Sequence, residues 1–445
     1  LSQSEPPSQS EPPSQSEREN EAIRSASPAL HACLSALGHA VAFPPDIPFQ
    51  AAQARGKRFN ATIGQITRSD GRALALPAID ALIGLGEAAR NRAELYSPVQ
   101  GHQDLREAWR RWQRRHEPSA PSGLPIVTVG LAHGLSLIAD LFAGPGRPVA
   151  IPTPFWGNYR QTFASRTGAE VVTSPAYSDG AYSAGALERA LAGRASGEPA
   201  LAIVNAPSNP GGYSPTVSER HELVESLVRV ARSRPLLVVC DDAYAGLVFE
   251  ADVPSESLFW DLAGRHENLV PVKVDGATKE FGLFGGRVGF LTFPFESDSP
   301  AGQALESKVK CLSRAAVGSP VSLTQMLLLE ALQSGEAERQ IEAVRDILAA
   351  RYRALREALA GIDRELLTPL PFNSGCFALV ELRPELGLDA DSVRLHLLEH
   401  QEVGLISIAP RYLRIAFCSV DEEALPELVR RLENGVRELA SPAAQ

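Results

Sequence analysis

The run DGATKEFGLFGGRVG, residues 275–289, holds one lysine and one arginine, Lys279 and Arg287, eight apart on a backbone where five of fifteen residues are glycine. A lysine amine can bond a carbonyl carbon or carry a proton, and an arginine fork grips phosphate or carboxylate. Upstream, VNAPSNPGG sets Asn205, Pro207, Asn209, Pro210 and Gly212 in the spacing NxPxNPxG, and DDAY, Asp241 to Tyr244, closes an apolar run. Two familiar phosphate motifs fail here. GxxxxGK[ST] is not what precedes Lys279, and GxGxxG is broken by Phe284. Taken alone, Lys279 reads as a solvated charge at a strand end; the ordered signals around it argue for more.

These residues need elements to hold them. RPVAIPTP, AEVVTSP, ALAIVNAP, PLLVVCDDAY, VPVKVDGAT and RVGFLTF read as strands, separated by amphipathic segments. One such segment places Leu223, Leu227, Val230 and Ala231 at helical spacing, with Thr216 and Glu219 forming a capping box. Strands that are apolar throughout and alternate with helices predict a parallel sheet covered on both faces. Beyond about residue 318 the pattern becomes a long helix with Ile341, Val344 and Leu348 on one face. FALVEL, a helix near 391–400, LISIAP and YLRIAF follow as a smaller α+β unit.

The chain has 445 residues, 44% hydrophobic and 22% charged, enough for a large core. Its formal net charge of -10 argues against a nucleic-acid surface while leaving room for a local anion pocket. No run reaches the roughly 18 apolar residues of a membrane span, and no signal peptide is recognisable at the start, so a cytoplasmic location is expected. Cys33, Cys240, Cys311, Cys376 and Cys418 are odd in number, dispersed, mostly in apolar segments and without a CxxC pair. Reduced core thiols are expected, not a disulfide frame, zinc site or other metal centre. The opening SQSEPP repeats are too polar to order themselves and read as a disordered tail.

NxPxNPxG, DDAY, the TK pair and the GxRxG frame from Gly285 to Gly289, in that order, resemble the class I/II aminotransferases, fold-type-I enzymes dependent on pyridoxal 5′-phosphate (PLP). The resemblance spans about residues 55–435 and is nearest the aspartate/aromatic branch. It implies an α/β fold: a large domain with a mostly parallel seven-stranded sheet between helices, plus a smaller α+β domain. The expected division is a tail over 1–22, an arm and part of the small domain over 23–70, the large PLP-binding domain over 71–317 and the C-terminal small domain over 318–440.

By the same resemblance Lys279 forms the Schiff base with PLP and, once displaced by substrate, serves as general base. Asp241 pairs with the ring nitrogen, while strand alternation turns Asp242 to the opposite face. Tyr244 and Asn209 reach the phenolic oxygen. The phosphate falls to the Leu131 and Ala132 amides, Thr278 and Arg287, on a turn and helix supplied by VTVGLAHGLSLIADLF. Gly276 departs from the pattern, which usually carries a hydroxyl residue there. In PTPFWGNYR, Trp156 aligns best as the ring that stacks on the cofactor, with Phe155 as runner-up. His133, beside the phosphate turn, reads as a capping or packing residue.

For the substrate, the resemblance puts Arg414, in YLRIAF, on the α-carboxylate, with the Gly64 backbone close by. Arg314, in LSRAAVGSP, falls near an arginine that receives a distal carboxylate, or is a solvated charge. Tyr96, in YSPVQGHQ, resembles a tyrosine donated across a homodimer interface to the neighbour's phosphate. The implied reaction is ping-pong transfer of an amino group from an L-amino acid to a 2-oxo acid. A carbon–sulfur lyase on the same scaffold is the alternative, and a non-catalytic PLP-binding regulatory module a remote one.

Overall fold

The computed structural model describes residues 86–116, 118–178, 180–194, 197–408 and 410–440, preceded by 50–51, 53–62, 66–67 and the single residues 14, 17, 21, 77 and 84. Apart from those single residues, the SQSEPP tail and the apolar stretch from Leu30 to Leu37 lie outside the described residues.

Strands β1 (Ile126–Val129), β2 (Val149–Thr153), β3 (Val171–Pro175), β4 (Ala200–Asn205), β5 (Leu236–Asp241), β6 (Leu269–Gly276) and β7 (Val288–Thr292) form one seven-stranded sheet, in the order β1-β7-β6-β5-β4-β2-β3. β7 runs antiparallel to β1 and β6, and every other pair is parallel. Six of these strands are legible as apolar runs in the sequence. β1 is not, because its four residues run straight into a helix.

Alternation along the strands builds two cores. Ala202, Val204, Val238 and Cys240 pack with Leu223 and Leu227 of α4 (Val217–Ala231) on one face. Leu201, Ile203, Val239, Val272 and Val274 pack with Leu135 and Ile138 of α3 (Gly130–Phe142) on the other. The predicted capping box at Thr216 and Glu219 is present at the start of α4. A third core joins Leu105 and Trp109 of α2 (Gln103–Gln113) to Phe290, to Met326 of α6 (Ser322–Gln333), and to Val344 and Leu348 of α7 (Ala337–Ala360). Ahead of these helices lies α1 (Glu87–Glu94), and between β7 and α6 lies α5 (Pro300–Val317).

The C-terminal residues form a second, antiparallel sheet, ordered β8-β9-β11-β10, from β8 (Leu367–Pro369), β9 (Ala378–Leu382), β10 (Ile406–Ile408) and β11 (Tyr412–Ile415). Its core gathers Val380, Leu413 and Ile415 with Leu355 of α7. Among the described residues no helix is long and apolar enough to cross a membrane. Of the described cysteines, Cys240, Cys376 and Cys418 are buried, while Cys311 is exposed on the outward side of α5, contrary to the expectation of core thiols throughout.

Candidate active site

In an open parallel sheet the carboxyl ends of the strands leave a crevice where ligands bind. Here β4 ends at Asn205 and β5 at Asp241, while Lys279 sits in the helical turn Ala277–Glu280 directly after β6. A cavity of about 420 Å³ at this edge is lined by Leu131, Ala132, Trp156, Asn209, Asp241, Tyr244, Thr278, Lys279, Arg287 and Arg414. Asn158, Tyr159, Asn205, Ala243 and Phe377 complete its wall.

One corner is built to receive an anion. Helix α3 begins there with no side-chain cap, so its first-turn amides point outward. His133 accepts the Val129 N–H through Nδ1 at 3.1 Å, a turn-stabilising role. Arg287 lies directly over Gly130, where a Cβ would come 2.5 Å from Nη2. Gly289 lets β7 approach the same turn, since a Cβ there would fall 2.7 Å from the Gly130 carbonyl carbon and 2.9 Å from the Leu131 nitrogen. Arg287 itself adopts a left-handed φ of 52°, a conformation that costs a non-glycine residue about 1 kcal/mol and is held here by its neighbours.

The Thr278 hydroxyl, buried beside this corner, has no hydrogen-bond partner among the described residues. A phosphate fits: amides of a helix N-terminus, an orphaned hydroxyl and a guanidinium converge on a space that glycines keep open. The structure also accounts for Gly276. A Cβ there would sit 2.6 Å from the Val288 carbonyl oxygen, so a hydroxyl residue cannot enter without moving β7. Arg287→Ala is expected to weaken PLP retention by about 100-fold, and Thr278→Val by about 10-fold, from the loss of a charge-assisted and a single hydroxyl bond respectively. Titration of the apo-protein with PLP measures both.

Asp241 occupies the floor. It is buried, its Oδ2 accepts the Tyr159 hydroxyl at 2.6 Å and its Oδ1 accepts the Ala243 N–H at 3.1 Å. Burial pushes its pKa up to about 6, and the adjacent Asp242 adds to this, while Tyr159, the Ala243 amide and Lys273 pull it down. Asp242 turns to the far side of the sheet and pairs with Lys273. Trp156 lines the cavity and meets Tyr159 edge-on at 5.5 Å, whereas Phe155 lies outside this wall with Arg160 stacked over it at 5.1 Å.

Removing the Tyr159 hydroxyl has a defined sign. The Asp241 carboxyl rises from about 3.9 in an unfolded chain to about 6 in the folded apo-protein. Its ionisation therefore subtracts stability as pH climbs through that window, and the whole penalty is present above it. In Tyr159→Phe the upper edge moves higher, so apo-protein melting curves from pH 5 to 8 are expected to lose more stability toward neutral pH than wild type.

Burial lowers the Lys279 amine below the ordinary ammonium range, and Arg414 and Arg287 push the same way, against the opposing influence of Cys376 and Cys418. Its Nζ lies 5.5 Å from the centroid of the Tyr244 ring and 5.3 Å from that of Phe284. Across the cavity Arg414, 1% exposed on β11, donates Nη1 to Asn209 Oδ1 at 2.8 Å and Nη2 to the Thr62 carbonyl at 2.6 Å. Its guanidinium stacks on Phe377 at 4.2 Å. The Asn209 backbone N–H donates to Asn205 Oδ1 at 2.7 Å, and Asn205 Nδ2 donates to the Asp241 carbonyl at 2.9 Å. Arg414 is thereby linked to the end of the strand that bears Asp241.

Two residues named from the sequence are not brought to this wall: Tyr96 is 96% exposed and Arg314 is exposed on α5. Gly64 lies outside the described residues. Tyr159 and Phe377 were missed. Tyr159 carried a signal, standing three residues after Trp156 where the chain coils after β2. Phe377 carried none, being one more apolar residue before a strand.

The profile of the family described as aminotransferase class I and II matches residues 62–432. The chain is 29% identical to a 2-aminoadipate transaminase of Thermus thermophilus, over 77% of this chain and 82% of that protein. It is 28% identical to an aspartate/prephenate aminotransferase of Thermus thermophilus, over 63% and 67% respectively. The fold superimposes on an aminotransferase from Anaerococcus prevotii with a TM-score of 0.78, covering 88% of this chain and 96% of that one at 21% identity. With a phosphate corner, a buried carboxylate and a lysine of lowered basicity in one cavity, and with the family profile matched from one sheet to the other, the chain belongs to the class I and II aminotransferases and is a PLP-dependent enzyme.

Proposed function

We propose that this enzyme moves the amino group of an L-amino acid to a 2-oxo acid with Lys279, Asp241 and Arg414 as its principal working residues. The observation that carries the reading is that one cavity holds all three together with Arg287 and the uncapped N-terminus of α3. When bound, PLP supplies an aldehyde that bonds amines and a protonated ring that takes up the electron pair left by the amino acid's Cα–H.

The chain's own residues do the rest. The Leu131 and Ala132 amides, Thr278 and Arg287 would hold the phosphate, and Trp156, on the same wall, would pack against the ring. Asp241, kept in place by Tyr159, presents a carboxylate to the ring nitrogen. Asn209 Oδ1 is engaged by Arg414, so its Nδ2 is left to donate into the cavity that Tyr244 also lines. The Arg414 fork receives the substrate α-carboxylate and fixes the direction of the Cα–H bond. Lys279, with its lowered basicity, takes the proton from Cα.

A homodimer belongs to the same reading. Leu95, Tyr96, Val317, Val321 and Leu323 are exposed apolar side chains. Hydrogen bonds from Ser97 to the Pro320 carbonyl and from Ser322 to the Arg92 carbonyl, each 2.8 Å, tie the segments that bear them into one surface. A second copy covering this surface would carry Tyr96 and Arg314 toward the neighbouring site.

The test mixes the PLP-loaded enzyme with single amino acids, with and without pyruvate, 2-oxoglutarate or oxaloacetate. Turnover that depends on the oxo acid is expected. Ammonia released without one would replace transfer by elimination.

A further inference from the structure

Behind the sheet, on the face away from the cavity, a lysine sits where a strand should carry an apolar residue. Val272 and Val274 of β6 pack into the α3 core, and the alternate residues Lys273 and Asp275 turn to the other face, where α2 bonds Asp275. Lys273 is 4% exposed, and a buried cation at such a position is tolerated only when paired. Its partners are Asp242, in direct contact, and Asp275 at 3.2 Å. Asp275 is held in turn by Trp109 Nε1 at 3.0 Å and Gln113 Nε2 at 3.0 Å, and Gln113 also donates to the Thr292 hydroxyl at 3.2 Å.

The cluster is keyed to the site by register. Lys273 stands opposite Cys240, the residue before Asp241, while Asp242 is the residue after it. Two buried carboxylates thus share one buried cation, immediately beside a third carboxylate that must stay charged. Asp241 is bonded by Tyr159 from the segment after β2, neighbours Asp242 and Tyr244 at its own strand end and Lys273 through the sheet from β6, and shares its cavity with Lys279, Arg287 and Arg414. Beyond Asp275 the charges close with Glu280, which accepts from Arg115 at 3.0 Å and from Trp112 at 3.3 Å. Lys273 lies on the opposite side of the sheet from the cavity cations, and its charge favours the ionised form of Asp241.

We propose that Lys273 is a positioning residue for the reaction: clamped between Asp242 and Asp275 at the back of the sheet, it offsets their charge so that Asp241 can stand ionised to receive the cofactor's ring nitrogen. This rests on Asp241 being the partner of the ring nitrogen. It assigns a role in tuning the cofactor to a residue that touches neither cofactor nor substrate.

The experiment reads PLP binding to the apo-protein from pH 5 to 9 by quenching of tryptophan fluorescence, so it does not depend on turnover. In wild type the affinity falls at low pH as Asp241 takes a proton. Lys273→Met is expected to move the midpoint of that fall upward by about one pH unit, which raises the dissociation constant about 10-fold below the wild-type midpoint and only about 2-fold at neutral pH, the usual effect of uncompensated neighbouring charge. Adding Asp242→Asn to Lys273→Met should return the midpoint, and Lys273→Arg should leave it near wild type. Should Lys273→Met not fold, Asp242→Asn alone serves, with a midpoint shifted downward. A midpoint unmoved in Lys273→Met, or in Asp242→Asn where the former does not fold, overturns the proposal and leaves Lys273 a packing residue. Asp241→Asn separates the two ideas: a profile it fails to flatten removes the Asp241 reading, whereas a flattened profile beside an unshifted Lys273 variant removes only this one.

Discussion

Lys279→Ala is expected to leave a protein that folds and binds PLP but neither bonds it covalently nor transfers amino groups, with turnover reduced by more than about 10⁴-fold. The argument is positional. The lysine is carried on a turn that begins immediately after β6, and the turn is fixed by β6–β7 pairing at Gly276 and Gly289. Among the described residues no other lysine side chain lines the cavity wall, so no second amine is placed there to substitute. The phosphate corner does not use Lys279, so the variant should retain the cofactor noncovalently. Borohydride reduction followed by peptide mapping checks the assignment: label on the peptide containing Lys279 in wild type and none in the variant. Label on a different peptide, or near-normal activity in the variant, would falsify the site.

Arg414→Lys is the second large effect. Arg414 presents a planar fork, with one nitrogen given to Asn209 Oδ1 and another to the Thr62 carbonyl, over the face of Phe377. A lysine carries the charge but cannot hold both acceptors and still meet a carboxylate with two parallel bonds. Two charge-assisted hydrogen bonds at about 1.5–3 kcal/mol each set the scale, so kcat/KM for the amino acid is expected to fall about 1,000-fold. PLP affinity should change little, because Arg414 lies on the second sheet, away from the phosphate corner. Steady-state kinetics beside a cofactor titration separate these outcomes. Equal losses in both would mean that Arg414 only braces the fold.

Certain features were legible in the sequence because they are local. β4 and β5 must be buried on both faces because they are apolar at every position before the last, and that alone demands helices on both sides. The capping box of α4 lies within four residues and needs nothing distant. The opposite directions of Asp241 and Asp242 follow from the pleat, which turns successive side chains to opposite faces. Strand β1 escaped because four residues are too few for alternation to show against the helix that follows.

Other features exist only once distant segments meet. Tyr159 bonds Asp241 across 82 residues of sequence, and Arg414 reaches Asn209 across 205, so neither partner can be read from the local composition of either segment. Gly276 looked like a missing phosphate donor until the nearby Val288 carbonyl showed that a Cβ has no room. Lys273 reads along the chain as one charge in an apolar strand; its meaning depends on Asp242 arriving from the adjacent strand and Gln113 from α2.

Amino-acid order by itself determined the class of fold and the chemical kinds gathered at the strand ends: an amine, a carboxylate and guanidinium groups, since periodicity and short motifs are properties of neighbours. Only the tertiary structure decided which carboxylate is supported by which hydroxyl, which cation compensates it, and which side chains share the cavity. Those outcomes depend on burial and on distances between segments far apart in the chain, where the low dielectric makes each unpaired charge expensive and each pairing specific.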